Sequence, residues 1–186
     1  LYSEELKFFL HRFNTHDPSP LADFAASLTT ANKTELQEIL STAPVLERLK
    51  NVLVLLKKEL DVAKSIQNSI LPHDFKPFPQ NDAYEIYGSM LPAKRVGGDF
   101  FDFFTIDDKL LGFTIADVSG KGVPAALFMT MTRGLLRALG QKTKSPLHCF
   151  QQLNELILLE NDSSMFVTAF YGILDIQSGI IEYCNA

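Results

Sequence analysis

The sequence predicts an α+β protein in two regions, and three observations carry that prediction. Up to about Leu71 apolar residues recur at helical spacing, beyond Asp82 strand patterns alternate with helix patterns, and Pro72, Pro77 and Pro79 stand between the two. Residues 72–82 cannot continue a helix, because each proline removes a backbone donor and restricts its predecessor. The expected organisation is a helical segment over 1–43, an amphipathic or coiled-coil helix over 44–71, and a separate domain over 72–186.

Residues 1–33 say least; Phe8, Phe9, Phe13 and Phe24 are expected in a core rather than against a cofactor. Thr34 followed three residues later by Gln37 has the form of a capping box, opening a short helix with Leu36, Ile39 and Leu40 on its apolar side. Pro44 starts a longer helix. In it Leu46, Leu49, Leu53, Leu56, Leu60, Ala63, Gln67 and Ile70 alternate steps of three and four, the a/d spacing of a coiled coil, with Lys50, Lys57 and Lys64 on one flank. Two readings stay open: a helix packed on its own domain, or a parallel homodimer through 44–71, which Gln67 at an a position suits.

In the second region residues 83–90 have strand character, and an extended Leu-Pro-Ala-Lys-Arg connection follows. Asp99–Ile106, with four phenylalanines, and Leu110–Asp117 read as a hairpin around Asp107-Asp108-Lys109. Ser119-Gly120-Lys121-Gly122 turns into a helix with Pro124 in its first turn, running to about Leu139, and Ser145-Pro146 opens another to about Glu160. Met165–Asp175 and Ile180–Cys184 form a second hairpin through Gln177-Ser178-Gly179. The predicted order is β-β-β-α-α-β-β.

Composition narrows the function. With 17 Lys+Arg against 22 Asp+Glu the formal net charge is −5, 46% of the 186 residues are hydrophobic, and a packed core is within reach. Lys57-Lys58 and Lys94-Arg95 are too short to make a nucleic-acid footprint. Cys149 and Cys184 cannot build a disulfide framework, no stretch approaches the ~20 apolar residues of a membrane span, and a cytoplasmic setting is expected. The chain opens on Leu1 with nothing like a signal peptide, so it is not expected to open at the gene's start.

If the hairpin loop is the three residues 107–109, Ile106 faces Leu110, Phe104 faces Gly112, and Asp99 faces Asp117; a two-residue loop would slip the register and throw the carboxylates onto opposite faces. Opposed side chains sit about 4.5–5.5 Å apart at Cβ, where like charges repel. A hard divalent cation between them would relieve that, taking carboxylate and carbonyl oxygens beside the glycine-rich turn. The competing reading is that each aspartate merely ends a strand or caps a turn. Gly97-Gly98 is either a bulge or a point of close ligand approach. Ser-Gly-Lys-Gly lacks P-loop spacing, although a helix N-terminus after a glycine turn attracts anions. The same register makes both sheet faces apolar, Phe101, Phe103, Phe113 and Ile115 on one and Phe100, Phe104, Leu110 and Ala116 on the other, so cover on both faces is expected.

At these residues the sequence resembles the bacterial branch of the metal-dependent protein phosphatases (protein phosphatase 2C-like), of the stage II sporulation E and RsbU type. The resemblance runs from about Ser65 to the end. It rests on Gln67-Asn68-Ser69-Ile70-Leu71-Pro72, on Val96-Gly97-Gly98-Asp99-Phe100-Phe101-Asp102-Phe103-Phe104, on Ala116-Asp117-Val118-Ser119-Gly120-Lys121-Gly122-Val123-Pro124, and on Phe166-Val167-Thr168 and Tyr183-Cys184-Asn185-Ala186. It implies an αββα sandwich of which 72–186 would be the N-terminal two-thirds. It implies two Mn²⁺ or Mg²⁺ ions held by Asp99, Asp117 and the carbonyl of Val118, with Gly98, Ser119, Gly120 and Lys121 near the phosphate. The implied reaction is hydrolysis of phosphoserine or phosphothreonine by a metal-bound water, with no side-chain nucleophile. The implied substrate is a phosphorylated signalling protein, an anti-sigma-factor antagonist of a partner-switching pathway, and an upstream sensor would act through the 44–71 helix. The later aspartates that complete such a cluster are expected beyond Ala186. Two other readings remain at this point: a non-catalytic dimeric module keeping the fold, and a helical dimerisation adaptor.

Overall fold

The structure, a computed structural model, describes residues 18–77, 84–91, 95–159, 161 and 164–186. Phe8, Phe9, Phe13 and residue 83 lie outside the described residues. The chain divides into two compact units, one ending at Ala63 and the other running from Lys64 to Ala186.

In the first unit α1 (Ser19–Ser27), α2 (Lys33–Ser41) and most of α3 (Val45–Ile70) close a small core on Ala26, Ile39 and Val52. Phe24 is half-buried. The cap of α2 lies two residues earlier than expected. Asn32 Oδ1 accepts from the N–H groups of Thr34 and Glu35, and the Glu35 carboxylate accepts from the Asn32 N–H. An asparagine carbonyl thus does the work assigned to Thr34, which becomes a helical residue. Arg48 ties α3 to α1, its guanidinium donating to Ser19 Oγ at 2.6 Å and Asp23 Oδ1 at 2.9 Å. In the first unit the buried residue of α3 is Val52, off the a/d stripe, while Leu46 and Leu53 on the stripe are 65% and 55% exposed.

The second unit holds one antiparallel sheet whose strands lie in chain order: β1 (Phe100–Thr105), β2 (Leu110–Val118), β3 (Val167–Asp175) and β4 (Ile181–Asn185). Its helices, α4 (Val123–Gly140) and α5 (Pro146–Leu159), fall between β2 and β3. The hairpin register is the expected one: Phe100 pairs with Ala116, Phe104 with Gly112, and Ile106 N–H donates to Leu110 O at 2.9 Å. Phe100, Phe104, Ala116 and Val118 form one buried cluster with Met129 and Leu136 of α4 and Cys149, Phe150 and Leu153 of α5. Burying these side chains supplies the unit's main driving force, ~1.5–3 kcal/mol for each large one.

The opposite face departs from expectation. Residues 84–90 form no ladder, because this segment meets the side chains of the sheet face rather than a strand edge. Tyr87 stacks on Phe75 at 5.3 Å, and a Cβ on Gly88 would meet the Phe101 ring at 2.6 Å. Phe75 also lies 5.4 Å from Phe103, which is buried. Cover by described residues stops there. Phe113 is half-buried and Ile115 is 65% exposed, so on this face the expected cover reaches only the β1 side.

Candidate metal centre

Asp99 and Asp117 meet at the open end of the β1–β2 hairpin. The ladder's last pair is Phe100 with Ala116, and the next residue on each strand is an aspartate. Both are exposed. A hydrogen bond with the Asp117 side chain, then partial burial, hold the Asp99 carboxyl above the usual carboxylate range. A raised value means that the fold disfavours two negative charges at this spot.

Gly98 places a carbonyl beside the pair. Ser119 N–H donates to Phe166 O at 2.8 Å, so Ser119 faces β3 and the alternating Val118 groups face β1. A Cβ added to Gly98 would come within 2.8 Å of Val118 O, 2.9 Å of Val118 Cβ and 3.3 Å of Ala125 Cβ. Only a residue without a side chain fits there, and the buried Val118 carbonyl packs against the Gly98 backbone.

The turn after β2 divides into parts with different duties. The Ser119 hydroxyl accepts from Phe166 N–H at 2.9 Å, so it fastens β2 to the start of β3. Gly120 and Gly122 have φ of 89° and 76°, with open space where a Cβ would be. Backbone conformation, not crowding, demands glycine at both. Gly122 caps α4 without a side-chain bond, and Lys121 beside it is exposed. An open groove of about 980 Å³ runs from Asp99, Asp117, Thr168 and Asn185 across the half-covered face. The structure thus brings together Gly98, Asp99, Asp117 and Val118, and sets Ser119, Gly120 and Lys121 on the adjoining turn.

A hard divalent cation suits this donor set: two facing, exposed carboxylates with a backbone carbonyl next in the chain are oxygen ligands, and positive charge relieves the crowding at Asp99. Six or more ligands are usual, and among the described residues no group of three His, Cys, Asp or Glu side chains forms.

Sequence reasoning missed two supports. Asp102 is fully buried, its Oδ1 accepting from Arg137 Nη1 at 2.7 Å and from Phe103 N–H at 2.9 Å, while Oδ2 lies 3.0 Å from Arg133 Nη2. The Arg133 contact is an ion pair without hydrogen-bond alignment, leaving Oδ2 and the buried Arg133 Nε without a hydrogen bond among the described residues. A signal was available: Asp102 shares the helix-facing parity of Phe100 and Phe104, and Arg133 and Arg137 are one helical turn apart. The second support is Gln67, which donates through Nε2 to Gly97 O at 2.7 Å and accepts through Oε1 from Gly97 N–H at 3.1 Å.

Residues 107–186 match the model of the family described as Stage II sporulation protein E (SpoIIE). Over these residues the chain resembles the SpoIIE family. The chain is 31% identical over 140 residues to Phosphoserine phosphatase RsbU of Bacillus subtilis, covering 75% of this chain and 41% of that protein. The fold is similar to that of the SiaA-PP2C domain of Pseudomonas aeruginosa, at a TM-score of 0.58 and 20% identity, over 70% of this chain and 53% of that one. A likeness that no motif anticipated is to the Lon protease of Magnetococcus marinus, 54% identical over 70 residues, 38% of this chain and 8% of that protein. The chain therefore spans less than half of RsbU and less than a tenth of the protease. No described helix is long and apolar enough to cross a membrane.

Proposed function

We propose that this chain carries the Asp99/Asp117 half of a metal-dependent protein serine/threonine phosphatase. The observation behind the proposal is the opposed, exposed aspartate pair at the open end of the hairpin, on a chain related to a phosphoserine phosphatase. Asp99, Asp117 and the Val118 carbonyl would hold part of the coordination sphere of two Mn²⁺ or Mg²⁺ ions. Such ions, when bound, lower the pKa of water and neutralise charge on a transferring phosphoryl group. The chain's own part is to fix two carboxylates at hairpin spacing and to offer Lys121 and the uncapped α4 N-terminus beside the groove. The substrate we infer is a phosphorylated signalling protein, of the anti-sigma-factor-antagonist class, in a cytoplasmic bacterial partner-switching pathway.

The helical first unit is read as the regulatory part. The match to the SpoIIE model occupies 107–186 and leaves the helical segment ahead of it outside. Exposed Leu46 and Leu53 give α3 a face on which a second copy could pair, in keeping with a homodimer through 44–71, and an upstream regulator would act through the same helix.

The test is Mn²⁺-dependent phosphate release from a phosphoserine protein by the full-length protein. Loss of release on Asp117→Asn is expected, and activity that survives the substitution refutes the site. Mn²⁺ bound without release would leave a non-catalytic signalling module.

A further inference from the structure

Gln67 is the only buried side chain of the last turns of α3, 4% exposed between exposed Ile66 and Asn68. Its amide spends both of its ends on one residue. Nε2 donates to Gly97 O at 2.7 Å and Oε1 accepts from Gly97 N–H at 3.1 Å, which is the bonding a neighbouring strand would offer. Gly97 precedes Gly98, whose backbone rests on Val118, and Gly98 precedes Asp99. The β1 ladder starts only at Phe100. The lead-in to Asp99 is therefore a Gly-Gly pair, the most freely moving backbone a sequence can place there. The ladder holds Asp99 from one side, and the Gln67 amide holds it from the other.

We infer that Gln67 is a positioning residue: by clamping Gly97, the last turns of α3 fix the separation of the Asp99 and Asp117 carboxylates and so the cation affinity of the pair. The inference rests on the metal reading of that pair. Residues that orient ligands without touching the ion typically change metal affinity by about 10–100-fold when removed. Gln67→Leu keeps the volume and removes both hydrogen bonds. Gln67→Glu keeps the shape and the acceptor for Gly97 N–H, but as a carboxylate it cannot donate to Gly97 O.

The experiment uses the full-length protein without substrate. Mn²⁺ binding is measured by titration calorimetry, and amide exchange is followed by mass spectrometry on peptides covering residues 96–99, with Asn68→Ala as a control on the exposed side of the same turn. The expected result is about tenfold weaker Mn²⁺ binding and faster exchange at Gly97–Asp99 for Gln67→Leu, a smaller change for Gln67→Glu, and no change for Asn68→Ala, with β2–β3 exchange equal throughout. Gln67→Leu binding Mn²⁺ within twofold of wild type overturns the positioning role, whether or not exchange quickens. Should Gln67→Leu fail to fold, the Gln67→Glu affinity decides by the same criterion. A wild-type protein that binds no Mn²⁺ overturns the metal reading itself, and this role for Gln67 with it.

Discussion

Asp102→Asn tests whether the buried charge cluster under β1 holds the second unit together. Asparagine keeps the shape of the side chain and removes its charge. Arg137 is 38% exposed, so its head can turn to water, and losing its 2.7 Å contact should cost no more than a surface ion pair, ~0.2–1 kcal/mol. Arg133 is 9% exposed and its Nε already lacks a hydrogen bond, so it is left as an uncompensated buried cation. Removing one partner of a buried pair costs about 3–5 kcal/mol, and Arg133 supplies most of that here. For a unit of this size the loss should lower the melting temperature by roughly 10–20 °C. Urea unfolding followed by circular dichroism reads the loss, and amide exchange on β1–β2 peptides assigns the transition to the second unit. A paired change, Asp102→Leu with Arg133→Met, replaces both charges by apolar volume and should restore most of the stability. A cost below about 1 kcal/mol for Asp102→Asn, or a double variant as unstable as the single one, refutes the reasoning.

Further outcomes follow from other features. Without metal at neutral pH, Asp117→Asn should stabilise the second unit by ~0.2–1 kcal/mol, because it removes a like charge facing Asp99. Asp99 has its folded value raised, so that gain shrinks as pH falls through the region just above the ordinary carboxylate range, where the wild type protonates Asp99 anyway; chemical denaturation across pH checks the sign, and a loss of stability at neutral pH contradicts it. Leu53→Glu should convert a dimer to a monomer in sedimentation with little change in melting, because Leu53 is 55% exposed. An unchanged sedimentation mass rules out pairing through this face. Burial pushes the Cys149 thiol up to about 11, so alkylation of the folded protein at pH 8 should modify Cys184 and spare Cys149 until denaturant is added, as mass spectrometry of the peptides will read.

Local rules made the hairpin legible. A three-residue loop sets Asp99 against Asp117, a two-residue loop would part them, and the observed pairing of Phe104 with Gly112 is that of the three-residue loop. The ends of α4 and α5 were legible to within a residue or two from Pro124, Pro146 and the apolar period. Features that depend on which distant group a side chain meets were not. Gln67 looked like a polar residue in a paired seam, yet its amide is taken by Gly97, thirty residues away. Asp102 stands among four phenylalanines of one strand, and nothing local tells that two arginines of α4 are its partners. Residues 84–90 have strand composition, but composition cannot tell pairing at an edge from lying against a face.

Every strand of the sheet pairs only with its neighbours in sequence, and for β1 and β2 the link is three residues long. Such a hairpin zips from its loop, and its last rung to close is the one that brings the two aspartates together. The same rung is the first to open. Its resting state is thus a balance between backbone pairing that draws the strand ends together and charge that parts them, set within a few residues of the groove mouth. A small neutralising influence, such as a proton, a cation or the clamp on Gly97, therefore acts on how often that end of the hairpin frays, while the core beneath Phe104 stays shut.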